Sequence, residues 1–189
     1  MNIVVRTAGG RYIVRPDTTW ERDNEDVFLP EFVNRVSYAP VLFARINKPG
    51  RSVSEKFAER YYDGIGYGVL LYPEDLIDGS EEGFSCASCL DHTSFLTFPV
   101  YNKVTLGRPG NIFELQCGSE TIFSHCGASA EMICKAIEEA TRYIYIRTGD
   151  ILAIELESRR LLCSREEGEV HVTGKFCRND NVLDFKIIF

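Results

Sequence analysis

Short runs of β-branched and aromatic residues, separated by turn residues, recur along the chain and constrain its fold more than any other feature. Runs of this length and composition are typical of β-strands. They leave room for few helices, so the sequence predicts a mainly β chain of the α+β class. The runs cover residues 3–6, 12–15, 36–46, 95–104, 112–117, 143–146, 151–156, 169–172 and 182–189.

Two segments have the periodicity of packing helices. The first covers residues 54–63, follows a capping-box pattern that starts at Ser52, and is expected to end at Gly64. The second begins near Ser129 and carries its apolar residues on one stripe. A further single turn is predicted over residues 73–76, where proline occupies the first position.

Length and charge narrow the class of protein. A chain of 189 residues suits one domain, and a net charge of −7 argues against nucleic acid or an anionic membrane as the partner. No segment has the pattern of a signal peptide or the length of a membrane span, so we expect a cytoplasmic protein. The seven cysteines are then expected to be reduced thiols, mostly in the core.

Several segments together resemble the bacterial fumarylacetoacetate hydrolase family in both composition and order. They are Phe28-Leu29-Pro30-Glu31-Phe32, the strand Tyr38 to Ile46, the segment Gly68-Val69-Leu70-Leu71, the turn Gly149-Asp150-Ile151-Leu152, and the closing strand from Val182. The resemblance implies a mixed β-roll or barrel-like sandwich with two packing helices. It also implies one catalytic-type domain over residues 1–189, with a shortened N-terminal region over residues 1–26.

The positions that carry chemistry in that family have changed in this chain. The family's Glu-x-Glu on the central strand is replaced by Ala39 and Val41, and the aspartate of its Gly-Ile-Asp by Leu70. The family arginine that follows is replaced by Glu74, and the family lysine aligns near Ala87. The family's Thr-Gly-Thr-Pro is replaced by residues 154–157. The resemblance therefore implies a degenerate pocket, no bound cofactor and a non-catalytic role in binding or regulation.

An active enzyme remains the alternative. Family members use a divalent cation, usually Mg²⁺, to act on diketones or 2-oxo acids, and a hard cation needs oxygen ligands. A hydrolase, lyase or isomerase would have to use Mg²⁺ or Mn²⁺ with substituted ligands such as Glu74, Asp75 or Asp91. The resemblance also implies a homodimer, and a heterodimer with an active relative is a specific variant.

A zinc site is a competing hypothesis for one short segment. Cys86, Cys89 and His92 have the spacing Cys-x₂-Cys-x₂-His, with His125 or Cys126 as a fourth ligand. The simpler interpretation is two small residues in a loop that leads into a strand, because closed zinc sites usually show a second clear pair.

Two other patterns have simple structural interpretations. Residues 64–68 alternate glycine with larger residues, but they follow a predicted helix, which reverses the order of a dinucleotide-binding loop. We interpret them as a helix stop and a flexible turn. Ser124 and His125 lack the Gly-x-Ser-x-Gly elbow and the third partner of a hydrolase triad.

Overall fold

The computed structural model describes residues 1–98, 100–106, 108, 111–177 and 180–189, and strands are its main element, as the sequence predicts. Helices α1 (Glu55–Ala58), α2 (Glu81–Ala87) and α3 (Ala130–Thr141) lie between the strands. The strands of the described residues are β1 (Asn2–Arg6), β2 (Tyr12–Pro16), β3 (Trp20–Glu21), β4 (Val27–Phe28), β5 (Arg35–Ile46), β6 (Tyr62–Pro73), β7 (Ser94–Phe95), β8 (Tyr101–Asn102), β9 (Phe113–Cys117), β10 (Glu120–His125), β11 (Ile151–Glu155), β12 (Arg160–Ser164), β13 (Glu169–Phe176) and β14 (Asp180–Ile188).

The larger sheet is a curled half-barrel. Its main path runs β2-β1-β11-β5-β6-β7-β3, with β12 added beside β5 and β8 beside β6. Strands β2 and β3 lie at opposite ends of this path, yet a single 3-10 turn, Asp17–Thr19, joins them in the chain. The two ends of the sheet must therefore approach each other, and the predicted β-roll is confirmed.

The smaller sheet has the order β10-β9-β13-β14-β4 and packs over the main core. Helix α3 contributes Ile133, Ala136, Ile137 and Ala140 to the same core. Its N-cap is Ser129, whose hydroxyl accepts a hydrogen bond from the Met132 amide. The predicted second helix is thus confirmed, with its apolar stripe facing the sheets.

Strand β5 is buried on both faces. Leu42, Ala44 and Ile46 point into the main core, whereas Ala39 and Phe43 point into a second, smaller hydrophobic cluster on the opposite face of the large sheet. This arrangement follows from the two-residue period of a strand. It explains why the sequence of β5 is almost continuously apolar.

The helix predicted over residues 54–63 is confirmed only for Glu55–Ala58, and the rest of the prediction is wrong. Only α1 is helical there, its N-cap is Ser54 and not Ser52, and the chain enters β6 at Tyr62. Strand β6 pairs with β5 along almost its whole length, from Val36 opposite Pro73 to Ile46 opposite Tyr62. Long-range pairing and burial of this kind override a local helical pattern.

The alternating glycines of residues 64–68 lie in β6, so our interpretation of them as a flexible turn is also wrong. A Cβ on Gly66 would lie 2.3 Å from Cζ of Phe43, directly opposite on β5. A Cβ on Gly68 would lie 2.2 Å from the carbonyl oxygen of Phe95. These glycines allow a ring and a neighbouring backbone to approach the strand closely.

Other differences are local. Helix α2 occupies a segment expected to be a loop, and its N-cap Ser80 accepts from the Gly83 amide. Residues 143–146 form one isolated bridge, Gly50 with Ile146, where a strand is predicted. The predicted strand over 95–104 contains the last residue of β7 and the whole of β8, and its residue 99 lies outside the described residues. The turn predicted over 73–76 is confirmed as a 3-10 helix, Glu74–Leu76.

Two findings bear on the environment of the protein. Within the part of the chain that the structure describes, no helix combines the length and the apolar character needed to cross a bilayer. All seven cysteines are free thiols, and of these Cys134 and Cys163 are buried.

Candidate functional site

Ala39, Val41 and Leu70 lie together on one face of the large sheet. Ala39 is directly opposite Leu70 across β5 and β6, and Val41 follows two residues along β5 on the same face. Each of the three side chains has 0% exposure within one hydrophobic cluster. The fold therefore brings these positions to one place and surrounds them with apolar atoms.

A carboxylate does lie near this cluster, but its oxygens are occupied. Glu155 ends β11 directly opposite Val41 and is 7% exposed. Its Oε1 accepts a hydrogen bond of 2.7 Å from the Tyr72 hydroxyl, and its Oε2 accepts one of 2.8 Å from the Ala8 amide. The Tyr72 phenol is a neutral donor at physiological pH, and burial raises its pKa further above the ordinary value.

A fully buried arginine also contacts Tyr72. Arg15 of β2 donates through Nε to the Ser88 carbonyl at 2.9 Å, and through Nη2 to the Leu71 carbonyl at 3.0 Å and the Thr93 hydroxyl at 2.6 Å. Its Cζ lies 4.9 Å from the centre of the Tyr72 ring. Burial lowers the pKa of Arg15, although Tyr72 and Glu155 act in the opposite direction. The hydrogen bond from Arg15 to Ser88 therefore holds β2 against the C-terminal end of α2.

A second guanidinium covers the aromatic side of this network. Tyr72 and Phe84 stack with ring centres 5.7 Å apart, and Cζ of Arg159 lies 5.2 Å from the first ring and 5.0 Å from the second. Such contacts are favourable because the ring face is electron-rich. Arg15, Tyr72, Glu155 and Arg159 thus form one polar network beside the apolar cluster.

This network borders a cleft of about 1130 Å³. One wall is β2 with the turn before it, and the other is formed by α2 and the segment that precedes it. Glu74 lines the cleft, as do Glu155 and Arg159. Ala87 does not; it is fully buried at the end of α2, next to Ser88, which does line the cleft.

The carboxylates suggested as substituted metal ligands do not converge. Asp75 accepts hydrogen bonds from the backbone amides of Asn34 and Arg35 and from the Asn34 side-chain amide, at 2.7 to 3.0 Å. Burial acts to raise the pKa of Asp75, but these hydrogen bonds together hold it below its ordinary value. Asp91 is exposed on a turn after α2. Asp75 thus tethers the start of β5.

The zinc candidates lie at the end of α2 and just after it. Cys86 and Cys89 are exposed, and His92 has a positive φ of 56° and places Nδ1 3.1 Å from Oε2 of the buried Glu21. His125 lies on β10, where burial lowers its pKa, and Cys126 follows it. Within the described ranges, no group of three or more His, Cys, Asp or Glu residues is arranged to hold a metal ion.

Sequence reasoning missed Arg15 and Tyr72 as members of a site, and it placed Glu155 only within the replaced segment 154–157. A signal was present for two of them, because Arg15 and Glu155 are charged residues at inward positions of apolar strands. Charged side chains are seldom fully buried unless they are paired. Arg159 lies in the turn after β11, and nothing in the sequence points to it.

Comparison with solved structures supports the fold. A fumarylacetoacetate hydrolase family protein from Yersinia pestis superposes with a TM-score of 0.79 at 18% identity, over 99% of this chain and 92% of that one. Fumarylpyruvate hydrolase from Pseudomonas aeruginosa, solved with Mn²⁺ and pyruvate, superposes with a TM-score of 0.80 at 16% identity, over 100% and 90%. The expected fold is thereby confirmed.

The similar structures are not restricted to one reaction. A 5-carboxymethyl-2-hydroxymuconate delta-isomerase from Mycobacterium smegmatis superposes with a TM-score of 0.74 at 14% identity, over 99% of this chain and 78% of that one. No family model matches the sequence, and no curated protein matches it. At these identities the similarity defines the fold of the fumarylacetoacetate hydrolase family and leaves the activity open.

Proposed function

We propose that this chain is a non-catalytic protein with the fumarylacetoacetate hydrolase fold and a role in binding or regulation. The observation that carries the proposal is the apolar, fully buried environment of Ala39, Val41 and Leu70. A Mg²⁺ or Mn²⁺ ion needs oxygen ligands and keeps part of its hydration shell. Three hydrocarbon side chains at the positions of the family carboxylates offer neither ligands nor water.

The loss of the carboxylates also has a stabilising effect that supports the proposal. Carboxylates buried side by side repel each other and lose hydration, and the bound cation compensates for both costs. Once catalysis is no longer selected, aliphatic side chains at these positions stabilise the fold. The network of Arg15, Tyr72 and Glu155 is consistent with this, since its carboxylate accepts protein hydrogen bonds from Tyr72 and Ala8.

Thermal unfolding with and without Mg²⁺ or Mn²⁺ tests the proposal. A cation at about 100 times its dissociation constant adds about 2.7 kcal/mol to the free energy of unfolding. In a domain of this size that raises Tm by about 5 to 10 °C. We expect no shift, and no turnover of oxaloacetate or an acylpyruvate. Fumarylpyruvate hydrolase from Pseudomonas aeruginosa, solved with Mn²⁺, is the positive control.

The rival is a metal-dependent enzyme with substituted ligands. It is favoured by the similar structures, which include a fumarylpyruvate hydrolase and an isomerase. A rise in Tm of about 5 °C or more with either cation, or turnover of either substrate class, would establish this rival and remove the non-catalytic proposal.

We also propose that the protein acts as a homodimer in the cytoplasm. The dimer rests on the resemblance to the family, and the compartment is supported by the seven free thiols, which a reducing environment maintains. Light scattering coupled to size-exclusion chromatography gives the mass in solution. Co-expression with an active relative tests the heterodimer variant, which is excluded if the two chains elute separately.

A further inference from the structure

No strand within the described residues pairs with the outer edge of β2. Strand β2 ends the path of the large sheet and pairs with β1 alone. In an antiparallel pair, every second residue directs its N–H and C=O away from the neighbouring strand. Among the described residues, none forms a backbone hydrogen bond with this outer edge from Tyr12 to Val14. Natural proteins usually cover or charge such an edge, because another strand can add to it.

Two devices that protect edge strands lie at the C-terminal end of β2, the inward-pointing charge of Arg15 and the proline Pro16, and the stretch before them has neither. Ile13 and Val14 carry no charge, the strand contains no lysine, and its proline comes only at the last position, Pro16. Val14 is 44% exposed despite its apolar side chain. The edge is therefore both open and apolar.

A helix lies across the cleft from this edge. The cleft of about 1130 Å³ is lined by Ile13 and Val14 on one side, and by Glu81, Phe84 and Ser85 of α2 on the other. A groove with a strand edge on one side and a second element opposite is the geometry in which an extended peptide adds to a sheet. Main-chain hydrogen bonds then supply affinity, and alternate side chains supply specificity.

The wall opposite β2 is acidic. Residues 74–88 include Glu74, Asp75, Asp78, Glu81 and Glu82 and no lysine or arginine. Asp75 and Asp78 accept local hydrogen bonds, but Glu74 and Glu81 line the cleft, and no described side chain forms an ion pair with either. Two cations also line the cleft: Arg159 stacks on Tyr72 and Phe84, and Arg11 lies on the opposite wall, directly before β2. The charges of the acidic wall complement lysine or arginine side chains.

We propose that the free edge of β2 binds one extended, basic segment of a partner protein, which adds to the large sheet as a further strand between β2 and α2. The apolar side chains of the segment contact Val14 on one face of the sheet, and its basic side chains, which point to the opposite face, pair with Glu74 and Glu81 on the α2 side. The proposal names a partner for the binding role proposed above and rests on that role.

Fluorescence anisotropy with a labelled, end-blocked peptide of alternating lysine and valine tests the proposal on the full chain. We expect saturable binding of this peptide and none of the matched glutamate and valine peptide. The double variant E74Q/E81Q is expected to weaken binding about tenfold or more. The control Glu82→Gln removes the same charge next to Glu81 but outside the cleft, and should change the affinity less than about twofold.

Backbone methylation distinguishes strand addition from charge attraction alone. Two versions of the lysine and valine peptide carry N-methyl groups on the odd or the even residues. Only one edge of an added strand pairs with β2, so one version should lose binding and the other should keep it. Equal binding of both versions, an equal effect of Glu82→Gln and E74Q/E81Q, or no binding at millimolar peptide would overturn the proposal.

The two proposals fail in different experiments. A protein that gains no stability from Mg²⁺ or Mn²⁺ and does not bind the peptide retains the non-catalytic assignment and loses the peptide site. A protein that a cation stabilises loses the non-catalytic assignment, whatever the peptide does.

Discussion

Ala39 lies directly opposite Leu70 across the β5–β6 pair, and neither side chain is exposed to solvent. A carboxylate at either position would enter a cluster of aliphatic and aromatic side chains. Burial of an ionised carboxylate without a partner is costly in such surroundings. The pair therefore favours apolar side chains at both positions.

Substitution Ala39→Glu should reduce the free energy of unfolding by about 3 to 5 kcal/mol, because the new charge is buried without a counter-ion. Urea unfolding followed by tryptophan fluorescence measures the loss. Leu161→Glu, at a position 59% exposed on β12, is the control and should change stability by less than about 0.5 kcal/mol. Equal effects of the two variants would mean that the Ala39 environment is open to water.

Substitution Tyr72→Phe removes the hydroxyl that donates to Glu155 and leaves one oxygen of a buried carboxylate without its donor. The expected loss is about 1 to 3 kcal/mol in free energy of unfolding. Tyr143→Phe, at a side chain 75% exposed, should have almost no effect. In a double-mutant cycle, the loss from Tyr72→Phe should shrink in a Glu155→Gln background; full additivity would rule out the coupling.

Substitution Gly66→Ala places a methyl group 2.3 Å from the Phe43 ring, so the ring must move. Overpacking of this kind costs about 1 to 3 kcal/mol. Gly9→Ala is the control, since its nearest neighbouring atom would lie 3.9 Å away. Phe43→Leu should reduce the cost of Gly66→Ala, and an unchanged cost in that background would show that the ring is not the obstacle.

The stability of the protein should fall as pH rises from about 10 to about 12. Burial raises the pKa of Tyr67 to about 12 from 10.0, so the folded state keeps its phenol protonated where the unfolded state does not. The stabilisation is complete below pH 10 and is lost as pH approaches the folded value. Tyr67→Phe keeps the stacking on Phe113 and should reduce this dependence, and the part that remains comes from other partly buried tyrosines such as Tyr101, whose pKa burial raises to about 12. Tyr145→Phe, at an exposed position, should not.

The apolar strands were predictable because the order of apolar and polar residues in a strand follows from which of its faces are buried. Residues 36–46 are apolar at nearly every position, as a strand buried on both faces requires. The approach of Ala39, Val41 and Leu70 to one place could be inferred from the family resemblance, and their pairing supports that inference.

The polar network was not predictable, because it depends on contacts between residues far apart in the chain. Arg15 meets Ser88 and Thr93, and Tyr72 meets Glu155 across 83 residues of sequence. The start of β6 was missed for a related reason. Phe57 and Tyr61 have helical spacing, but pairing with β5 decides the conformation from Tyr62 onward.

The two buried faces of β5 separate the architecture of this protein from its chemistry. Leu42, Ala44 and Ile46 belong to the main core, and the side chains that alternate with them point to the face of the smaller cluster. Substitutions at these alternating positions therefore act on the smaller cluster and leave the residues of the main core unchanged. A designer can therefore exchange apolar side chains of similar volume at the odd-numbered positions of β5, where only the smaller cluster has to repack.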